Sequence, residues 1–130
     1  MGLYAGDPVG ELGYLQAQQF RACRLVADTG LHAMRWTRGQ TIDWFVANTG
    51  RPRASMQSEV DRYCGTPGQA CGYKIGHTEI NRLRDKARVA LGPKFDLRDF
   101  NDAVVEAGAV PLPVLADVID RHVAMLKRGA

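Results

Sequence analysis

"PGQACGYKIGHTEINRLRDKARVAL", residues 67–91, is the stretch on which the fold turns. Ile75, Ile80, Leu83, Ala87 and Leu91 recur at helical spacing. That pattern predicts one helix from Pro67 to about Leu91, opened by the proline and stopped by Gly92 and Pro93. The glycines sit awkwardly in it, because each interior Gly costs about 0.5–1 kcal/mol relative to Ala. If helical throughout, Gly68, Gly72 and Gly76 fall at i, i+4 and i+8 and form a bare stripe where a second helix backbone would approach closely. Beside it Gln69, Tyr73 and His77 share the same spacing, placing an amide, a phenol and an imidazole on adjacent turns, with Lys74 next to the phenol. Such a grouping reads as a site.

The same period extends outward in both directions. Asp7–Pro8 is an N-cap and first-turn pair, and Leu12, Leu15, Phe20, Cys23 and Val26 or Ala27 carry a long first helix ending near Asp28 to Gly30. After a break at "DTGLHAMRW", Thr37 caps a helix with Ile42, Phe45 and Val46 on its apolar face, and "NTGRPR" is a loop. Ser55 opens a short helix containing Val60 and Tyr63. Downstream of the central stretch, Asp96 caps a helix closed by Gly108, and Pro111 to Lys127 form the last, with Leu115, Ile119, His122 or Val123, and Leu126 facing inward. No segment alternates apolar and polar residues with β-branched enrichment. The expected fold is all-α, a compact bundle of about five to six helices over residues 1–130, either a single domain or a C-terminal subdomain of a larger protein.

Composition narrows the function classes. With 17 basic and 14 acidic residues the formal charge is +3, and no run of Lys or Arg is long enough for a nucleic-acid or membrane stripe. "INRLRDKAR" reads as a solvated helix face. The apolar runs are far short of the roughly 20 residues that span a bilayer, and the N-terminus has no signal-peptide pattern. Cys23, Cys64 and Cys71 are odd in number and lack C-x-x-C spacing, so they read as small buried residues.

Catalytic motifs are sparse. There is no H-E-x-x-H, no G-x-S-x-G elbow and no phosphate-cradling glycine loop, and His32, His77 and His122 lie on different elements. Two local groupings remain. "RLVADTGLHAMRW" aligns Arg24, Asp28 and His32 at i, i+4 and i+8, a line in which the carboxylate would stand behind the imidazole. "EVDRYCGTPGQACGYKIGH" places Glu59, Asp61, Arg62 and Tyr63 just before the Gln69, Tyr73 and His77 series. The plainer reading is that these acids and arginines pair to position helices while Tyr73 buries its ring.

Three segments, "DPVGELGYLQAQQFRACRLVADTGLHAMRWTRGQTIDWFVANTG", "SEVDRYCGTPGQACGYKIG" and "FDLRDFNDAVVEAGAVPLPVLADVI", resemble the C-terminal part of the DUF885 family of bacterial proteins. The resemblance implies the C-terminal helical part of a larger zinc metallopeptidase of the gluzincin type, similar to the M32 and angiotensin-converting-enzyme-like helical peptidases. The zinc motif and the third ligand of such proteins lie upstream of the region matched. No metal ligand and no cofactor is therefore expected in this chain, zinc being expected only in a complete family member, and the chain alone is expected to be inactive. By the same resemblance Tyr73 and His32 are the candidate catalytic residues, as donors to an oxyanion. Gln69, Lys74, Arg24 and His77 are the candidate substrate-binding residues for a peptide-like substrate.

A helix face that meets the rest of a cleft should leave apolar surface exposed. The implied partner is a zinc-bearing N-terminal half or companion chain, with homo-oligomerisation as a further outcome. The compartment stays open between bacterial cytoplasm and periplasm. A second reading is a non-catalytic helical interaction or binding module. A third, an enzyme using Cys64 or Cys71 with His77, is disfavoured because Cys71 and His77 do not meet on one helix.

Overall fold

The computed structural model describes residues 3–128, and among these the regular structure is entirely helical. Six α-helices follow in order: α1 (Pro8–His32), α2 (Arg38–Thr49), α3 (Arg53–Gly65), α4 (Gly72–Leu91), α5 (Leu97–Glu106) and α6 (Leu112–Arg128), with 3-10 turns at Gln69–Cys71 and Gly92–Lys94. The chain divides into two compact units, Met1–Lys74 and Ile75–Ala130.

The first unit packs α1, α2 and α3 around Phe20, Cys23, Ala27, Ile42, Phe45, Met56, Val60, Tyr63 and Ala70. Its helices begin where side chains replace missing backbone partners. The Asp7 carboxylate accepts from the Gly10 N–H at 2.8 Å. Thr37 and Gln40 form a reciprocal capping box, the Thr hydroxyl accepting from the Gln40 N–H and the Gln side chain accepting from the Thr37 N–H. Gly50 ends α2 in the left-handed region at φ +63°. α3 starts at Arg53, two residues before the serine from which the sequence suggests it, because the ring of Pro52 fixes its own φ at −55° at the N-cap position, where no side chain caps the helix.

α1 runs through Gly30 to His32, past the break expected there. The reason is packing. A Cβ at Gly30 would stand 2.5 Å from a Trp36 ring carbon, so the bare backbone is where that indole lies. The Trp36 N–H donates to the Gly30 carbonyl at 2.9 Å, and Arg35 takes the left-handed conformation, φ +58°, that turns the chain back. Gly30→Ala should therefore destabilise the first unit by about 1–2 kcal/mol, an overpacking cost of about 1–3 kcal/mol being offset in part by the better helix propensity of Ala. Urea unfolding followed by tryptophan fluorescence checks this, and an unchanged or higher midpoint would refute the packing argument.

Two further expectations of the central stretch are corrected. Pro67 does not open the helix. It sits in a turn with Gly68 in the left-handed region at φ +79°, a 3-10 turn follows, and the α-helix begins at Gly72. Nor does the glycine stripe shelter a second backbone. Gly68 is off the helix, and a Cβ added at Gly68, Gly72 or Gly76 would meet nothing within 4 Å. The glycine that the backbone requires is Gly68, for its positive φ. Leu12 and Leu15, expected in the core, are 57% and 54% exposed, and Ile75 is likewise half exposed.

The second unit packs Leu83, Ala87, Phe100, Ala103, Leu115 and Ile119 together, with Ile80, Phe95 and Val123 at its margin. Asp96 caps α5 by accepting from the Arg98 and Asp99 N–H groups, and Gly108 follows the helix at φ +67°. The charged face of α4 is laced by Arg82–Glu79 and Arg84–Asp85, and Lys86 reaches Asp120 on α6 at 2.7 Å.

Candidate functional site

The first unit gathers a polar cluster between α1, α3 and the start of α4. Glu59 is its hub. One carboxylate oxygen, Oε2, accepts from the Tyr63 hydroxyl at 2.7 Å, from Arg62 Nη2 at 2.9 Å and from Arg24 Nη2 at 3.1 Å. Arg62 and Tyr63 follow Glu59 at i+3 and i+4 on the same helix face, so "EVDRY" builds most of the cluster locally. Arg24 comes from α1, 35 residues away in sequence.

Burial raises the Glu59 pKa, but the hydrogen bonds from Tyr63 and Arg62 and the charges of Arg24 and Arg62 outweigh it and hold the carboxyl below the usual glutamate range. The same burial, with Glu59 beside it, pushes the Tyr63 phenol well up, so Tyr63 stays a neutral donor. A carboxylate with a depressed folded pKa contributes stability that is fully present above the unfolded value and is lost as pH falls through the folded one. Glu59→Gln should cost about 1–2 kcal/mol at neutral pH, and the gap to the parent should close below the usual glutamate range. Denaturation midpoints at neutral and acid pH check this. A gap that stays constant with pH would show that the charge of Glu59 is not what stabilises.

Arg62 carries the cluster forward by donating through Nη1 to Gln69 Oε1, across the turn that leads into α4. The turn itself is pinned from α1. Asp28 is buried, and both of its carboxylate oxygens accept from the Gly68 N–H, at 2.9 and 3.1 Å. Asp28 therefore does not stand behind the His32 imidazole, as its spacing suggests. His32 Nε2 instead lies 3.1 Å from the Tyr63 carbonyl oxygen.

Tyr73, on the first turn of α4, is 51% exposed, so its ring is not core. Two guanidinium groups cover it, Arg24 at 5.3 Å and Arg21 at 5.7 Å from the ring centroid. Of the residues singled out in the sequence, Arg24, Gln69 and Tyr73 thus come together through Glu59 and Arg62. His32 is tied to the same helix by the Tyr63 backbone. Lys74 is half-buried beside Tyr73. His77 belongs to the second unit, where its Nε2 is 3.0 Å from the Asn81 side-chain amide.

Glu59 as hub, Asp28 as the pin of the turn and Arg21 over Tyr73 were not singled out from spacing. Only the Glu59, Arg62 and Tyr63 set had a local signal, in the i, i+3, i+4 order of "EVDRY". Burial raises the Cys23 and Cys71 thiols, Asp28 adds to the effect at Cys71, and Cys64 is exposed rather than buried as expected. Among the described residues no three His, Cys, Asp or Glu side chains converge as a metal site.

A family model described as "Bacterial protein of unknown function (DUF885)" matches residues 1–119. The chain belongs to the DUF885 family. A solved structure described as "the putative lipoprotein from Colwellia psychrerythraea" superposes on this DUF885 chain with a TM-score of 0.92 at 48% identity, covering 95% of this chain and 21% of that one. The DUF885 chain thus spans about a fifth of the length of that relative. No curated protein matches it. Among its described residues no helix is long and apolar enough to cross a membrane.

Proposed function

We propose that this chain is the substrate-facing helical portion of a larger DUF885 protein that hydrolyses peptide bonds, with the zinc and its ligands supplied by the remainder of that protein. The observation that carries the reading is Tyr73: a half-exposed phenol held under Arg24 and Arg21 and backed by the Glu59 cluster. A polar aromatic group kept at the surface by two cations serves a ligand better than a core.

In this reading the Tyr73 hydroxyl donates to the oxyanion that develops when an amide carbonyl is attacked. Gln69 and Lys74 hold the substrate backbone, and Arg24 contributes charge. His32 is the second donor. With Nε2–H given to the Tyr63 carbonyl, a neutral ring presents only a lone pair at Nδ1, so His32 donates again only when protonated.

The companion is the zinc-bearing remainder of the family protein. Coverage of a fifth of a solved relative and the exposed Leu12 and Leu15 of α1 both support such a docking, since exposed apolar rows on a helix usually meet a partner. Self-association through the same row is the alternative occupancy. The test is peptidase activity of this chain, of the remaining segment of a full-length relative, and of the two mixed. Turnover on mixing, absent from either part, is expected. Turnover by this chain alone, or none from the intact relative on any peptide, would overturn the reading.

A further inference from the structure

Trp36, Gln40 and Trp44 line an open cleft of about 190 Å³ at the start of α2, and none of them belongs to the Glu59 cluster. They are the two tryptophans of the chain and one amide. The indole centroids lie 5.9 Å apart with the planes at 52°, a tilted pair in mutual contact, so a ligand rests on their outer faces rather than between them. Both rings are held from behind. Trp36 lies against the bare backbone of Gly30 and follows Arg35, whose φ of +58° is one that a non-glycine residue rarely adopts. Trp44 packs on the core of the first unit, 6.3 Å from the Phe45 ring. Each indole is nevertheless only partly buried.

The polar side-chain groups of this cleft are all donors. Gln40 Oε1 is committed to the Thr37 N–H at 2.9 Å, which fixes the amide and leaves its NH₂ as the free end. An indole offers an N–H and no acceptor. No carboxylate lines the cleft, and Arg35, the residue before Trp36, forms no ion pair among the described residues. The side chains therefore present positive ends of dipoles and apolar faces.

We propose that this cleft binds a proline-rich polypeptide segment in the extended polyproline conformation. Such a segment is its electrostatic complement. The carbonyl oxygens are acceptors, the prolines have no N–H to leave unpaired, and the pyrrolidine rings lie on aromatic faces. A sugar brings hydroxyl donors that no side chain here accepts, and a quaternary ammonium finds Arg35 nearby with no carboxylate to balance it.

Because both tryptophans line the cleft, their two indole N–H signals in a nitrogen–proton correlation spectrum of this chain report on it directly. Titration with acetylated oligoproline should move both signals saturably, with affinity at least about tenfold tighter than for a glycine–serine peptide of the same length. Gln40→Glu keeps the capping box, because glutamate in that position accepts from the Thr37 N–H as glutamine does. It replaces the free donor by a negative oxygen, and should weaken oligoproline binding about tenfold or more. The same spectra show that the variant is folded. Indole signals that do not move, equal affinity for the glycine–serine peptide, or unchanged affinity in Gln40→Glu overturns the proposal. Tighter binding of a neutral oligosaccharide or of tetramethylammonium than of oligoproline overturns the assignment of the ligand. No turnover is measured, so the outcome is independent of peptide hydrolysis.

Discussion

Tyr63→Ala should lower the stability of the first unit by about 3–5 kcal/mol, the range for deleting a fully buried aromatic ring. Tyr63 has no exposed surface and is the largest fully buried side chain of the described residues. Its ring lies 6.1 Å from that of Phe45, which in turn stacks on Phe20 at 5.5 Å, so its loss opens a cavity at the junction of all three helices. The deletion also strips one of three donors from Glu59 and leaves Arg24 and Arg62 as its only partners. Tyr63→Phe separates the two effects. It keeps the ring and removes the hydroxyl, and should cost only about 1 kcal/mol. Trp36 and Trp44 both lie in the first unit, so their fluorescence in urea reports this unit directly. A Tyr63→Ala midpoint close to that of Tyr63→Phe would mean that the ring is not the keystone its burial indicates.

The second large effect concerns turnover. On the proposed reading of Tyr73 as an oxyanion donor, Tyr73→Phe in a full-length DUF885 protein should reduce kcat for peptide hydrolysis by about 100- to 1000-fold with little change in KM. The substitution is a clean one here. Arg24 and Arg21 contact the ring face, which Phe retains, so the ring stays in place and only the O–H is lost. A kcat within about threefold of the parent would remove Tyr73 from the chemistry, since donors of this kind contribute on the order of 3 kcal/mol. A rise in KM at constant kcat would instead make it a binding residue.

Much of the helical layout was legible because it depends on neighbours in sequence. Asp7, Thr37 and Asp96 cap helices as their positions suggest, and the period of Leu83, Ala87 and Leu91 marks the buried face of α4. What failed was arithmetic that assumed one continuous helix. A positive φ at Gly68 takes that residue off the helix and dissolves the glycine stripe, while Gly30 stays helical because Trp36 folds back over it. Leu12, Leu15 and Ile75 have the right spacing but no apolar neighbour to cover them in the structure described. In the candidate site, "EVDRY" carries the i, i+3, i+4 order that underlies the pairing of Glu59 with Arg62 and Tyr63 on its own helix. The partners that give the cluster its shape, Arg24 with Glu59 and Asp28 with Gly68, are 35 and 40 residues apart, and no local pattern encodes them.

The bond from Gly68 to Asp28 gives the molecule a built-in reporter. Gly68 sits on an exposed turn, where an amide proton would ordinarily be replaced by deuterium within moments, yet its N–H is taken up by a buried carboxylate from another helix. Its isotope exchange should therefore be slow, at the pace of the core amides of α1 rather than of its neighbours on the turn. Asp28→Ala should release it to the fast rate while leaving the amides of α2 unchanged. That single proton then registers whether the entrance to α4, and with it Tyr73, is latched to α1 at any moment.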